Sequence, residues 1–223
     1  MKKLLVAVVA LAASLSACNN ASSIKNYSEK DSVAYAIGLD YGRHLKGLDS
    51  TLNPAVVAAA ISDVLDNSAK MTQDQAYEFL NEYFMVRIPA RNLKASEEFL
   101  NDIAKNNPNI KRTDSGLLYE IILEGDAEVI AKNDKDEVMV NYKGALKDGK
   151  VFDENDSTKF SLNRVIKGWS EGMKLVGKGG KIKLYVPSEL GYGVQGNPYV
   201  GIAPNEALVF DVEVIDVIPA AAE

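Results

Sequence analysis

The sequence has very few of the side chains that most enzymes use for chemistry. Its 223 residues include one histidine and one cysteine. One cysteine cannot form an intrachain disulfide bond, and with a single histidine it cannot complete a Cys/His zinc site. A Ser-His-Asp hydrolase would have to use His44 as its base, and His44 fits better as a surface residue of a helix. Histidine-based, thiol and Cys/His zinc chemistry are therefore poorly supported, and we expect no metal and no cofactor.

Basic residues are also too few for binding nucleic acid by charge. The 25 Lys and Arg are outnumbered by 31 Asp and Glu, which gives a formal net charge of −6. Sequence-independent binding requires cations that displace counterions from phosphates. We therefore expect no nucleic-acid partner. The length allows one or two domains, each large enough for its own hydrophobic core.

The N-terminus has the pattern of a secretory signal. Lys2 and Lys3 precede a small and apolar run, Leu4–Ala13, which is shorter than the roughly 20 residues of a membrane-spanning helix. The following Leu15-Ser16-Ala17-Cys18 resembles the bacterial lipobox, in which the cysteine becomes the lipid-modified first residue. We expect a signal peptide over 1–17, a tether over 18–30 and a lipid anchor at Cys18. Ordinary cleavage that leaves a free thiol is the alternative.

Helical spacing dominates the next segment, 31–112. One apolar stripe consists of Val33, Ile37, Tyr41 and Leu45. Asn53-Pro54 fits an N-cap followed by proline in the first turn, and Thr72 with Gln75 fits a capping box. We therefore predict three helical segments, the last running from Thr72 toward residue 106.

The third helical segment carries more apolar surface than two short helices can cover. Its large apolar residues are Phe79, Tyr83, Phe84, Phe99, Leu100 and Ile103. Pro89 lacks the N–H that would bond the Met85 carbonyl, so a kink or break is expected there. Either the segment folds back at Pro89 or it packs against a second copy of the chain. We favour a homodimer; a small bundle with internal aromatic residues is the alternative.

The spacing changes to a period of two after residue 113. Every second residue is a large apolar one over 138–142, 182–186 and 208–215, as in half-buried antiparallel strands. One short helix fits, around 168–175. The predicted fold class is α+β, with an all-α dimerisation domain over 31–112 followed by a curved antiparallel sheet wrapped over one short helix over 113–219.

Several sequence pieces stand in order in this second half. They are Val140-Asn141-Tyr142-Lys143-Gly144, Gly149-Lys150-Val151-Phe152-Asp153, Arg164-Val165-Ile166-Lys167-Gly168-Trp169 and Leu208-Val209-Phe210-Asp211-Val212-Glu213, with Gly191-Tyr192-Gly193 before the last. Together they resemble the FKBP-type peptidyl-prolyl cis-trans isomerases. Tyr35-Ala36-Ile37-Gly38 with Tyr41-Gly42 is similar to the N-terminal dimerisation domain of the macrophage-infectivity-potentiator-type bacterial isomerases, which are secreted or lipid-anchored homodimers.

The resemblance implies a role for each matching residue. Trp169 would be the floor beneath a proline ring. The walls would be Tyr142, Phe152, Phe160, Val165, Ile166 and Phe210. The Ile166 N–H and the Tyr192 hydroxyl would hold substrate carbonyls, Asp153 would face the rotating imide carbonyl, and Ile202 would close the pocket. Proline-containing clients and FK-type macrolide inhibitors are the implied ligands, and a bacterial envelope location, facing the periplasm from the outer membrane, is implied by the lipid anchor.

Such a reaction does not need the side chains that the sequence lacks. Rotation about an X-Pro bond faces a barrier of about 18–20 kcal/mol that comes from amide resonance. No proton is abstracted and no covalent bond breaks, so a catalyst has only to bind the twisted amide better than either planar form. Aromatic walls and one or two hydrogen bonds are sufficient.

The sequence departs from the family pattern in two places. No arginine occupies the position that often pairs with the aspartate, which leaves Tyr142 or Lys159 to orient Asp153. The loop over 194–203 also differs, with Ala203 where proline is usual.

Two alternative functions remain open. One is a module or holding chaperone that binds proline segments without catalysis, and the other is a structural lipoprotein with a vestigial site.

Overall fold

The computed structural model describes residues 27–48 and 51–220. The predicted signal peptide and Cys18 lie outside these residues. No helix in the described ranges is long and apolar enough to cross a membrane. The chain forms two compact units, one up to Lys70 and one from Met71 onward.

Two helices make up the described part of the first unit. Helix α1 spans Glu29–Leu48 and α2 spans Pro54–Leu65. The predicted N-cap is confirmed, because the Asn53 side chain accepts a hydrogen bond from the Ala55 N–H at 3.0 Å. Neither helix has a buried residue, and several of their large apolar side chains are more than half exposed: Val33, Ile37, Tyr41, Ile61, Val64 and Leu65.

The second unit begins with a long helical segment of mixed type. Helix α3 spans Gln73–Glu82 and starts with the predicted capping box of Thr72 and Gln75. A π-helical turn, Tyr83–Arg87, connects it directly to α4, which spans Ile88–Asn106. Pro89 lies in the first turn of α4, where a missing N–H costs little. The segment therefore changes helix type before Pro89 instead of ending there, and the Ile88 N–H bonds to the Tyr83 carbonyl.

A six-stranded antiparallel sheet follows these helices in the second unit. Its strands are β1 (Lys111–Arg112), β2 (Leu118–Leu123), β3 (Glu137–Leu146), β4 (Val151–Ser161), β5 (Lys181–Val186) and β6 (Leu208–Ile218), in the order β1-β2-β5-β6-β3-β4. The short helix α5 spans Lys167–Gly172 and follows β4. The predicted α+β fold is confirmed, with a helical N-terminal part followed by a sheet and one short helix.

The two faces of this sheet pack against different helices. The inner face and α5 enclose the main core, which includes Val138, Val140, Leu184, Val212 and Val214. On the outer face, Leu100 of α4 packs with Leu118, Tyr185 and Ala207. Helices α3 and α4 thus belong to the same compact unit as the sheet. The sequence-based boundary at 112/113 falls directly after β1, the first strand of the sheet, and remains a prediction.

Candidate functional site

An aromatic cavity of about 390 Å³ opens between the inner face of the sheet and α5. It is lined by Tyr142, Phe152, Asp153, Phe160, Arg164, Val165, Ile166, Trp169, Tyr192 and Phe210. The structure therefore brings together every predicted site residue within the described ranges except Ile202. Arg164 was not predicted to take part, although it begins the sequence piece that ends at Trp169.

Trp169 lies at the base of the cavity and is 4% exposed. Its ring meets those of Tyr142, Phe160 and Phe210 edge to face, with centroids 5.1, 5.3 and 5.4 Å away. Perpendicular aromatic pairs at this spacing are favourable and fix one another's orientation. The first turn of α5 fixes the backbone of this residue, since the backbone N–H of Trp169 donates to the Ile166 carbonyl at 3.0 Å. These contacts fix the orientation of the Trp169 ring, which lines the cavity as an apolar surface.

The indole N–H of Trp169 has no hydrogen-bond partner among the described residues. An unsatisfied buried donor costs free energy, so polar groups in a well-packed core are normally paired. The indole N–H is an exception to this rule. Among the described residues, Trp169 contributes to the cavity through the apolar surface of its ring and not through a side-chain hydrogen bond.

A bulge in β4 turns two neighbouring residues toward the cavity. Asp153 pairs with Gly144 and Val151 pairs with Ala145, which leaves Phe152 as an extra residue between the two pairs. In a regular strand Phe152 and Asp153 would point to opposite faces, and a bulge changes these directions. Both side chains consequently line the same cavity.

The polar edge of the cavity is a hydrogen bond between two of its lining residues. The Tyr142 hydroxyl donates to a carboxylate oxygen of Asp153 at 2.7 Å. Burial, and after it this hydrogen bond to the carboxylate, raises the pKa of Tyr142 to about 12. Lys159 instead pairs with Glu137 at 3.1 Å. Of the two residues that could orient Asp153, the structure places Tyr142 in contact with it.

The two remaining predicted groups are the Ile166 N–H and the Tyr192 hydroxyl, and both lie next to distinctive backbone conformations. Ile166 is the N-cap residue of α5 and has an extended backbone, and no hydrogen bond within the described residues uses its N–H. Tyr192 is followed by Gly193, which has a φ of +59°. The left-handed conformation at Gly193 turns the chain directly after Tyr192, because glycine adopts it without steric cost.

Ile202 does not line the cavity. It closes a small hairpin in which the Asn197 and Ile202 backbones exchange hydrogen bonds of 2.8 and 2.9 Å. Its side chain is 2% exposed and belongs to the main core. The hairpin turns Ile202 inward, so its predicted contact with substrate is still a prediction, without support from the shape of this cavity.

The described residues include no group of three or more His, Cys, Asp or Glu side chains arranged to hold a metal ion.

Comparisons with known proteins identify both parts of the chain. Residues 129–215 match the model of the FKBP-type peptidyl-prolyl cis-trans isomerase, and residues 30–121 match the domain amino terminal to it. The FKBP-type peptidyl-prolyl cis-trans isomerase FkpA of Escherichia coli strain K12 is 37% identical, over 92% of this chain and 81% of that protein. The outer membrane protein MIP of Legionella longbeachae is 34% identical over 99% of both chains.

Solved structures show the same fold. The crystal structure of FkpA from Escherichia coli matches with a TM-score of 0.62 at 34% identity and covers 89% of this chain and all of that one. A peptidyl-prolyl cis-trans isomerase from Pseudomonas syringae matches with a TM-score of 0.54 at 32% identity, over 58% of this chain and 96% of that one. Identity at this level over most of both chains, together with the two matching domains, shows that the chain belongs to the FKBP-type peptidyl-prolyl cis-trans isomerase family.

Proposed function

We propose that the aromatic cavity accelerates rotation about X-Pro bonds of polypeptide clients. The observation that carries this proposal is the perpendicular packing of Trp169 with Tyr142, Phe160 and Phe210. This packing leaves an apolar recess with one carboxylate at its edge. A proline ring is compact and apolar, and it can enter such a recess without leaving a polar group unsatisfied.

The cavity would catalyse by binding the twisted amide. Water stabilises the planar, charge-separated amide, so moving the bond into an apolar recess lowers the resonance barrier. The Tyr192 hydroxyl and the Ile166 N–H would hold the carbonyls on either side of the proline. The Asp153 carboxylate, held by Tyr142, would face the imide carbonyl as it leaves the plane. Each of these interactions accelerates the reaction only insofar as it strengthens in the twisted state.

A protease-coupled assay on an X-Pro peptide tests this proposal. Phe152→Ala removes a wall of the cavity and Tyr192→Phe removes one hydroxyl, so both should lower kcat/KM. Tyr199→Phe is the matched control, because Tyr199 is 97% exposed and lies outside the cavity. No acceleration by the wild-type protein, or equal activity in all four proteins, would refute the proposed function.

We also propose that the protein works in the bacterial envelope, attached through a lipid on Cys18. Support comes from the signal-like N-terminus and from the Legionella longbeachae relative, whose name is outer membrane protein MIP. Labelling cells with a palmitate analogue should mark the wild-type protein and leave Cys18→Ala unmarked. An unlabelled wild-type protein would contradict the proposed lipid anchor.

FK-type macrolides are proposed inhibitors of the same cavity. They should compete with the peptide substrate, and Trp169→Ala should weaken their inhibition together with catalysis. Inhibition that persists unchanged in Trp169→Ala would place the binding site elsewhere.

A holding-chaperone activity is the second candidate, favoured by the exposed apolar side chains on α1 and α2. These helices could hold unfolded segments of the same clients, and because they belong to the same chain as the cavity, this would raise the local concentration of client. Suppression of client aggregation should then survive Trp169→Ala and Asp153→Ala, whereas isomerase activity should not. Loss of both activities in the same variants would leave the isomerase cavity as the one client site.

A further inference from the structure

Helix α4 is fastened to the loop that connects Tyr192 to β6. Asn92 and Ser96 of α4 donate side-chain hydrogen bonds to the Pro204 and Asn205 carbonyls, at 2.9 and 2.8 Å. In the other direction, the Asn205 side chain donates to the Pro89 carbonyl at 3.1 Å, and the Ala207 N–H donates to the Ser96 hydroxyl at 2.9 Å. We call this set of four hydrogen bonds the α4 clamp.

The clamp is built into the interior of the second unit. Ser96 is 2% exposed, and its hydroxyl both donates and accepts a hydrogen bond. Because the residue is buried from solvent, water could not replace either bond if it were lost. Pro89, Asn92 and Ser96 are spaced three and four residues apart, which places them on one face of α4. This face of α4 therefore contacts the loop.

Asn205 is the residue through which the clamp reaches the cavity. Its φ of +55° is left-handed, a conformation that asparagine tolerates better than most residues. While its side chain and its carbonyl bond to α4, its N–H donates to the Gly193 carbonyl at 2.8 Å. Gly193 directly follows Tyr192, a lining residue of the cavity. One residue thus links α4 to the residue next to Tyr192.

We propose that Ser96 and Asn205 are positioning residues for the isomerase reaction: through the α4 clamp they fix the loop that holds Tyr192 at the edge of the cavity. This inference rests on the proposed role of Tyr192 in binding the substrate. Neither Ser96 nor Asn205 lines the cavity, so both act through Tyr192. A site that must hold its groups to within a fraction of an ångström depends on such supporting contacts.

Two variants and one matched control separate positioning from general stability. Ser96→Ala removes two of the clamp hydrogen bonds, and Asn205→Gly removes the side-chain bond but tolerates the left-handed backbone. Asn107→Ala is the control, because Asn107 caps the other end of α4 and donates to Glu120 of β2 at 3.0 Å. All three changes weaken the attachment of the same helix, and two of them act at the clamp.

The positioning role predicts a specific kinetic pattern. Ser96→Ala and Asn205→Gly should each lower kcat/KM on an X-Pro peptide by about three- to tenfold, and Asn107→Ala should leave it nearly unchanged. In a Tyr192→Phe background, Ser96→Ala should have little further effect, because both changes remove the same interaction. Full additivity of the two substitutions, or an equal loss in Asn107→Ala, would overturn the proposal.

Hydrogen exchange gives a test that does not depend on activity. Amides over 193–207 should exchange faster in Ser96→Ala and Asn205→Gly than in wild type or Asn107→Ala, whereas amides of the central strands should not change. Unchanged exchange over 193–207 would show that α4 does not hold the loop. If the wild-type protein lacks isomerase activity, the proposed function fails, and exchange alone decides whether the clamp exists in solution.

Discussion

Tyr142 and Asp153 form the polar edge of an otherwise aromatic cavity. The tyrosine hydroxyl lies 2.7 Å from the carboxylate and donates to it. Its ring also meets Trp169 edge to face, so Tyr142 contacts both the indole and the carboxylate. Tyr142 is thus the residue that contacts Asp153, whereas Lys159 pairs with Glu137.

Replacing Tyr142 by phenylalanine should keep the ring and remove the support of Asp153. A hydrogen bond of roughly 1 kcal/mol lost in the twisted state lowers kcat/KM by about fivefold. Tyr185→Phe is the control, because Tyr185 is also buried but packs beneath α4 on the outer face of the sheet. Equal activity of Tyr142→Phe and Tyr185→Phe in the isomerase assay would contradict the proposed role of Tyr142.

The ionisation of Tyr142 should be displaced to high pH. A tyrosine in the unfolded chain titrates near pH 10, whereas in the folded protein the pKa of Tyr142 is raised to about 12. Because folding favours the protonated form, its stabilising contribution is complete below about pH 10 and is lost as the pH rises toward 12. Ultraviolet titration should show a late tyrosine that disappears in Tyr142→Phe. A Tyr142 that titrates near pH 10 would show that its hydroxyl is not buried against Asp153.

Individual site residues could be predicted from the sequence to different extents. The aromatic set could be named because its motifs are specific in combination. The shared direction of Phe152 and Asp153 depends on a bulge in β4, which strand periodicity does not reveal. Ile202 faces the core because of a hairpin within the long loop, and loop geometry of this kind has no simple sequence signal.

At the scale of elements, α5 owes its position to two glycines. A Cβ on Gly168 would lie 2.6 Å from a Val186 methyl group, and one on Gly172 would lie 2.6 Å from Leu184. These distances are well inside van der Waals contact, so α5 can approach β5 this closely only without side chains there. The approach fixes Trp169, which follows Gly168 directly.

Gly168→Ala should therefore push α5 away from β5 and disturb the floor of the cavity. Overpacking of this kind destabilises by about 1–3 kcal/mol, and activity should fall as Trp169 moves. Urea unfolding, Trp169 fluorescence and the isomerase assay would measure both effects. Gly38→Ala in α1 is the control, since a Cβ there meets no atom within 4 Å. A Gly168→Ala protein with wild-type stability and activity would show that the close packing is not needed.

Helix and strand signals were informative where the local chemistry decides the outcome. The N-cap at Asn53 and the capping box at Thr72 are both present, because they depend on a few neighbouring residues. The π-helical turn before Pro89 could not be predicted from proline alone. Proline forbids one hydrogen bond, but it does not specify whether the helix ends, kinks or changes its hydrogen-bond spacing, as it does over Tyr83–Arg87.

Over the whole molecule, the largest group of exposed apolar side chains in the described part of the first unit lies on α1 and α2. Neither α1 nor α2 has a buried residue, although the predicted stripe of Val33, Ile37 and Tyr41 lies on α1. Contiguous exposed apolar patches mark interaction sites. This exposure supports the proposed homodimer, in which the helices of two chains would cover one another.

Light scattering should give about twice the mass of one chain. Ile37→Asp should shift the protein toward monomer, because it places a charge on the exposed apolar stripe. Lys46→Ala on the same helix changes the net charge by the same amount and should leave the mass unchanged. A wild-type protein that stays monomeric at high concentration would contradict the dimer.

The sequence predicts the order of a helical part and a sheet, but it does not predict which helices form one compact unit with the sheet. A change from helical to strand periodicity indicated a helical part before a sheet, and the structure has both. The assignment of α3 and α4 to the same compact unit as the sheet rests on long-range contacts such as Leu100 with Tyr185 and Ser96 with Asn205. Periodicity in a single segment carries no information about which distant segment it will contact.

The cavity should catalyse rotation about an X-Pro bond without any proton transfer or covalent step. NMR exchange spectroscopy on an X-Pro peptide, in H₂O and in D₂O, can measure this, because it detects isomerisation without a coupled reaction. The wild-type protein should accelerate exchange equally in both solvents, and Asp153→Ala should be markedly slower. Absence of acceleration by the folded protein, or a marked slowing in D₂O, would contradict this mechanism.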